Sequence, residues 1–201
     1  MASLLKNQIL KHLSKFTKNL SPEKLQMSTM RGSFEVNNIE LNEQVLMELL
    51  ELPVWLSLTK AHCNYASVKI NWIKIKTIPI YIVLDEVTIE AETCEDFRES
   101  STTTTTLLTC REAGSYGFIN KVIDGITLSI NSVNVQFRSA IFSASFELTR
   151  ITIESRSCLW KAVDDLSKTR IRDPARGQVL VFKHIEWQTL RFVAKSETKQ
   201  S

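Results

Sequence analysis

The amino-acid sequence predicts a mainly β fold with few helices, built around a long, strongly curved antiparallel sheet with an apolar concave face. Three observations predict this fold. Apolar residues alternate with period two along most of the 201-residue chain, and β-branched residues are frequent, as is typical of strands. Several strands shift the phase of this alternation in the same way, which indicates curvature. Few segments have helical periodicity, so little is available to cover the apolar side of the sheet.

The first predicted element is an amphipathic helix within residues 1–22, ending before Ser21-Pro22. Its polar side carries Lys11, Lys15 and Lys18, the candidates for contact with an anionic membrane surface. Its opposite side is an apolar stripe formed by Leu5, Ile9, Leu13, Phe16 and Leu20. Three interpretations are open: the stripe packs on the sheet with the lysines solvated, the helix also contacts a membrane, or the segment is a mitochondrial transit peptide, although it lacks the arginines typical of one.

The rest of the chain is predicted to consist mostly of strands. They lie near residues 25–31, 33–42, 55–72, 78–92, 125–138, 140–155 and 178–194. A short helix at about 43–51 ends at Leu52-Pro53, because the residue before a proline avoids the helical region. Phe118 to Asp124 predicts a brief helical turn, and 161–177 an irregular excursion.

Four of these strands change the phase of their alternation across three residues rather than two. The apolar series run from Phe34 and Val36 to Ile39 and Leu41, from Ile80, Ile82 and Leu84 to Val87 and Ile89, from Leu128 and Ile130 to Val133 and Val135, and from Phe146 and Leu148 to Ile151 and Ile153. A tight hairpin could explain any one change, but the resulting arms would be very short strands. One β-bulge per long strand is the preferred interpretation, and recurring bulges would curl the sheet.

A Ser/Thr-rich segment at about 93–116 separates the two halves of the sheet. It contains Ser100-Ser101 and five consecutive threonines, Thr102 to Thr106. This composition predicts a mobile loop, with a phosphorylation-rich regulatory insert as the alternative.

No motif for catalysis, cofactor binding or metal binding is found in the sequence. It contains no phosphate-binding glycine loop, no zinc-protease motif and no calcium loop. Cys63, Cys94, Cys110 and Cys158 are too far apart to form a metal clamp and are interpreted as reduced thiols. The net charge of only +3 gives no reason to expect nucleic-acid binding. The chain is therefore predicted to be no enzyme and to need no cofactor.

Several segments of the sequence resemble the amino-terminal chorein domain of bridge-like lipid-transfer proteins. The resemblance rests on Leu5-Lys6-Asn7-Gln8-Ile9-Leu10, Leu20-Ser21-Pro22-Glu23-Lys24-Leu25, Gly32, Asn38-Ile39-Glu40-Leu41, Leu52-Pro53, Trp72, Lys76-Thr77-Ile78-Pro79-Ile80 and Leu84-Asp85-Glu86-Val87. Later stretches resemble most the third subfamily of that group: Tyr116-Gly117-Phe118, Ile171-Arg172-Asp173-Pro174 and Arg176-Gly177-Gln178-Val179-Leu180. Asn71 departs from the family, which commonly has a proline before the tryptophan.

The resemblance implies that residues 1–201 form one chorein-type domain, in which the N-terminal helix caps a taco-shaped sheet. Such a sheet would be the first segment of a hydrophobic groove that carries phospholipids between membranes. The implied partners are phospholipids, peripherally contacted membrane surfaces and further groove-forming segments of a longer chain, but no nucleic acid. The implied location is cytoplasmic, at endosomal or endoplasmic-reticulum contact sites.

The candidate groove residues are the apolar members of three strands near their phase changes. They are Ile80, Ile82, Leu84, Leu128, Ile130, Phe146 and Leu148. The competing interpretation is a closed β-domain without lipid that docks on a partner protein through its amphipathic helix. Only an open apolar trough would retain lipids during purification.

Overall fold

The structure is a computed structural model that describes residues 11, 14–19, 32–94, 118–173 and 175–196. Three predicted features lie wholly or mostly outside the described residues. They are the amphipathic helix within residues 1–22, the strand near 25–31 and the Ser/Thr-rich loop at about 93–116.

Strands dominate the described part of the chain. In chain order the elements are β1 (Ser33–Glu40), α1 (Glu43–Leu49), β2 (Leu56–Lys69), β3 (Tyr81–Thr93), α2 (Phe118–Asp124), β4 (Thr127–Arg138), β5 (Phe142–Arg156), a 3-10 helix (Leu166–Thr169), β6 (Arg170–Asp173), β7 (Gln178–Glu186) and β8 (Thr189–Ser196). The predicted mainly β fold with few helices is confirmed. The prediction of an irregular excursion at 161–177 is wrong, because the 3-10 helix and β6 lie there. In the described residues, no helix is long and apolar enough to cross a membrane.

All eight strands belong to one open, mixed sheet in the order β1-β2-β3-β4-β5-β7-β6, with β8 also paired to β5. Neighbouring strands are antiparallel except β3 and β4, which are parallel. The prediction of an antiparallel sheet throughout is therefore wrong at this pair. The connection from Thr93 to Thr127 includes α2 and is long enough to return the chain to the end where β3 began, as a parallel pair requires.

β7 and β8 form one interrupted strand alongside β5. Thr152 pairs with Glu186 in β7, and Thr149 pairs with Thr189 in β8, so both pairs have the same register. The interruption lies at Trp187-Gln188, within the single strand predicted for 178–194.

Backbone pairing between the strands is also interrupted along one line that crosses the sheet. We call this line the seam. Its members are Asn38, Asn64, Asp85, Asn131 and Arg150, one from each of β1 to β5. The less exposed side of β3 carries Ile82 and Leu84 before the seam and Val87, Ile89 and Ala91 after it, so the predicted phase change is present.

The register, however, is the same on both sides of the seam in every pair of neighbours from β1 to β5. The prediction of a β-bulge in each strand is therefore wrong at the seam. The alternation changes phase at the same level in all five strands, so no strand gains a residue relative to its neighbour. Asn38 and Arg150 adopt the left-handed region with φ of 54° and 52°. The one register shift among the described pairs lies in β2, between Leu58 and Lys60.

Two of the described elements cover parts of the sheet. At the β1–β3 end, Val122 of α2 packs with Phe34, Val68, Ile70, Ile75 and Ile80, which we call the end cluster. Met47 of α1 packs on Leu58 and Ala91. The side chain of Asn42 caps α1 by accepting a hydrogen bond from the Val45 N–H.

Gly32 holds the start of β1 against the end of β2, so we expect Gly32→Ala to destabilise the fold. Gly32 has a φ of 81°, and a Cβ there would lie 2.8 Å from the carbonyl oxygen of Ile70. The substitution should lower the free energy of unfolding in urea by about 2 kcal/mol. Gly177→Ala is the matched control, because Gly177 also has a positive φ of 63° but no atom within 4 Å of its Cβ position. Equal losses for the two variants would contradict the close contact at Gly32.

Candidate functional site

One face of the sheet carries five rows of apolar side chains that cross the strands. Paired residues of neighbouring strands project to the same side of a sheet, so the register defines the rows. Row 1 is Phe34, Val68, Ile82, Leu128, Ile153 and Ile185; row 2 is Val36, Ala66, Leu84, Ile130 and Ile151; row 3 is Ile39, Cys63, Val87, Val133, Leu148 and Leu190; row 4 is Ala61, Ile89, Val135, Phe146 and Phe192; row 5 is Leu58, Ala91, Phe137, Ala144 and Ala194. We call this surface the apolar face.

The apolar face is covered over the first three strands and open over the last ones. In row 3, Cys63 is 0% exposed and Val87 5%, whereas Leu190 is 55% exposed. In row 4, Ala61 is 2% exposed and Phe192 55%. Because the side chains of each row are apolar from end to end, solvent covers apolar surface over β5, β7 and β8 that a closed core would bury.

Two aromatic residues of row 4 pack together in the open part. Phe146 of β5 and Phe192 of β8 have a ring centroid distance of 4.7 Å with the planes tilted by 42°. The two residues remain 40% and 55% exposed. Phe137 and Phe142 make a second tilted pair at 5.4 Å.

Six of the seven predicted groove residues lie together on the apolar face. They are Ile82, Leu84, Leu128, Ile130, Phe146 and Leu148, from rows 1 to 4. The seventh, Ile80, is 2% exposed in the end cluster and belongs to a closed core. Three large row members that are each more than half exposed, Ile185, Leu190 and Phe192, were not among the predicted groove residues. The alternation of apolar residues within 178–194 was the signal that could have identified them.

Three polar side chains of the seam, those of Asn64, Asp85 and Asn131, bind one another. The Asp85 carboxylate accepts hydrogen bonds from Asn64 Nδ2 at 2.9 Å and Asn131 Nδ2 at 3.0 Å, which joins β2, β3 and β4. The Asn64 side-chain oxygen also accepts the Glu86 N–H at 2.9 Å. Because these polar groups bind one another at the phase change, rows 2 and 3 on either side of it remain apolar.

The three candidate membrane lysines differ in their surroundings. Lys11 is exposed and Lys15 half-buried, while the ammonium group of Lys18 forms an ion pair with Glu43, the first residue of α1. Burial raises the pKa of Glu43, but the hydrogen bond and the charge of Lys18, together with backbone hydrogen bonds, outweigh that effect and hold this pKa below its usual value. Lys18 therefore helps to attach the N-terminal segment to α1.

Within the described ranges, no three His, Cys, Asp or Glu residues are placed to hold a metal ion. Burial raises the pKa of the Cys63 thiol, the most enclosed member of row 3. A raised pKa keeps the thiol neutral, so Cys63 acts as a small apolar residue in the row.

Comparison with known proteins gives a consistent result. A family model described as bridge-like lipid transfer protein family member 3A/B matches residues 1–201. The chain is 48% identical over 194 residues to bridge-like lipid transfer protein family member 3B of Xenopus laevis, covering 96% of this chain and 14% of that protein. It is 47% identical over 194 residues to member 3A of Homo sapiens, covering 13% of that protein. Intermembrane lipid transfer protein vps13F of Dictyostelium discoideum is 29% identical over 89 residues, or 44% of this chain and 2% of that protein.

Proposed function

Since the chain belongs to the family of bridge-like lipid transfer proteins 3A and 3B, we propose that it is a lipid-transfer module. The apolar face forms the first segment of a hydrophobic groove that carries phospholipid acyl chains between membranes at contact sites. The relatives are named for lipid transfer, and the chain spans only about one seventh of their length. The partial exposure of rows 1, 3 and 4 over β5, β7 and β8 is the observation that carries the proposal.

The free energy of lipid extraction explains why such a face would be useful. Moving an acyl chain of about 16 methylenes from a bilayer into water costs about 13 kcal/mol, at roughly 0.8 kcal/mol per methylene. An apolar trough removes most of this cost because the acyl chain contacts side chains such as Phe146 and Leu190 instead of water. The process needs no reactive side chain and no cofactor.

The groove is a curved, taco-shaped trough capped by the N-terminal helix. Two features support curvature: the seam, where five strands change phase together, and the β2 register shift between Leu58 and Lys60. Residues 1–201 act as one chorein-type domain, which the family match over that whole range supports.

Further segments continue the groove beyond β8. Among the described strands β8 pairs only with β5, so its other edge has backbone groups available for another strand. Leu190 and Phe192 carry the apolar rows to that edge. The whole protein acts in the cytoplasm, peripherally at contacts of endosomes or the endoplasmic reticulum.

Native mass spectrometry of the purified chain tests the proposal. We expect phospholipids to remain bound after gel filtration, and fluorescent phospholipid to be taken up from liposomes. A chain that carries no lipid and takes none up would instead support a protein-interaction domain that docks through its amphipathic helix.

The lysines of the first segment give a separate prediction about membrane contact. We expect Lys11→Glu with Lys15→Glu to abolish sedimentation with anionic liposomes at low salt, because each lysine near the headgroups contributes roughly 1 kcal/mol. Lys18 is left unchanged because of its ion pair with Glu43.

The matched control for the lysine pair is Lys161→Glu with Lys195→Glu, two exposed lysines elsewhere. Equal loss of sedimentation for both double variants would mean that net charge alone is responsible.

A further inference from the structure

A second feature, separate from the apolar face, is a basic cavity of about 590 Å³ beside the end cluster. It is lined by Lys76, Thr77, Lys121, Ser167, Arg170, Arg172 and Val179. Four of these seven residues are cationic, two carry hydroxyl groups and none is acidic. We call this site the basic cavity, and its size is typical of small-molecule sites.

Five elements converge on the basic cavity and hold it in shape. The Thr77 carbonyl accepts the Leu166 N–H at 2.8 Å, which joins the loop before β3 to the 3-10 helix. Gly125 lets the end of α2 approach that 3-10 helix, since a Cβ there would lie 2.4 Å from Leu166 Cδ1. The Arg170 guanidinium of β6 donates a hydrogen bond to the Lys121 carbonyl oxygen of α2. The guanidinium is thereby positioned before any ligand binds.

Two of the four cations directly follow or precede a buried apolar residue in the sequence. Ile75 and Val122 are buried in the end cluster, and the residues that follow or precede them, Lys76 and Lys121, line the basic cavity. The backbone that carries these two lysines is thus held by a packed core, while their side chains are exposed. A backbone held in place lowers the entropy cost of gathering the cations around an anion.

A fifth cation lies nearby. Lys183 is half-buried and donates a hydrogen bond to the Ile126 carbonyl oxygen at 2.8 Å. Burial is the main cause that lowers the pKa of Lys183 to about 8; the Asp124 carboxylate opposes this change, and the positive charge of Arg170 adds to it. Burial and not repulsion therefore dominates this change, and Lys183 adds a cation next to Arg170 whose charge is partly balanced by Asp124.

We propose that the basic cavity binds a phosphate-bearing anion, either a phosphorylated lipid headgroup or a free phosphate compound. Guanidinium groups bind phosphate through paired N–H donors, and ammonium groups add further charged hydrogen bonds. Two arginines and two lysines supply donors of these kinds. Ile73, on the same loop as Lys76, is 95% exposed and is suited to enter a bilayer surface, which favours the lipid source.

Binding of inositol hexakisphosphate, measured by calorimetry, tests the proposal. We expect the parent chain to bind it and Lys76→Gln with Arg172→Gln to weaken binding by at least about tenfold, because two charge-assisted contacts are lost. Both side chains are exposed, so the fold should be unaffected. The matched control, Lys74→Gln with Lys161→Gln, removes two exposed cations outside the basic cavity and should change binding by less than about twofold.

Liposomes distinguish the two sources of phosphate. Binding to vesicles with phosphatidylinositol bisphosphate, but not to phosphatidylserine vesicles of equal charge, identifies a lipid headgroup; binding of inositol hexakisphosphate alone identifies a free phosphate compound. Both results support the site. The proposal is overturned if the two double variants weaken binding equally, if the parent binds neither probe, or if it binds only a carboxylate-rich peptide. Lipid retention on the apolar face should be unchanged in all variants, so the two proposals fail independently.

Discussion

Val87→Asp strongly destabilises the protein, whereas Leu190→Asp in the same row changes its stability little: this is the result we expect from the burial gradient of the apolar face. Val87 is 5% exposed between Cys63 and Val133, so its replacement buries a carboxylate among apolar side chains. The cost is about 4 kcal/mol or more, a large part of the stability of a domain. Leu190 is 55% exposed, and an aspartate there remains hydrated.

Thermal unfolding followed by circular dichroism measures the difference. We expect the melting temperature to fall by about 10 °C or more for Val87→Asp and by only about 2 °C for Leu190→Asp. Val87→Leu serves as the apolar control at the buried position. Similar large losses at Val87 and Leu190 would show that β8 is covered in solution, and the open part of the apolar face would not exist.

Phe146→Asp with Phe192→Asp is expected to abolish lipid retention while the protein remains folded. The two rings pack together in the open part of the apolar face, and the two residues are 40% and 55% exposed. Two carboxylates at this point would have to lose water before an acyl chain could pack there. We expect bound phospholipid, measured by native mass spectrometry, to fall by at least about tenfold.

The matched control is Ser145→Asp with Val193→Asp, which places the same charges one residue away on the same two strands. Successive residues of a strand point to opposite faces, so these carboxylates lie on the other side of the sheet. Lipid retention in this control should equal that of the parent. An equal loss in both double variants would contradict lipid binding at the apolar face.

The sequence predicted the strands well because period-two alternation is a local property. β1 to β5 begin and end within a few residues of their predicted bounds, and α2 matches the predicted turn. The parallel pairing of β3 and β4 could not be predicted, because it depends on how the connection between them crosses the sheet. β6 was missed because a strand of four residues, Arg170–Asp173, is too short to show a period.

The candidate site was predicted in part for a similar reason. Alternation assigns a side chain such as Leu128 to the apolar face, but exposure depends on which other elements cover that face. Ile80 and Phe146 have the same kind of local pattern, yet α2 covers Ile80 and leaves Phe146 open. The basic cavity was not predicted, because its cations come from segments that are distant in the sequence.

The seam also has a consequence for how the strands find their partners during folding. In regular alternating strands, a slip of two residues keeps every side chain on its proper face, so alternation alone does not select one pairing. Here a two-residue slip between β3 and β4 would place Asn131 opposite a regular residue of β3, and it would set the apolar Leu84 opposite Ser132 and Val133 opposite Asp85. The hydrogen bonds of Asp85 to Asn64 and Asn131 would be lost as well. The seam therefore penalises slipped pairings and favours one register for five long strands.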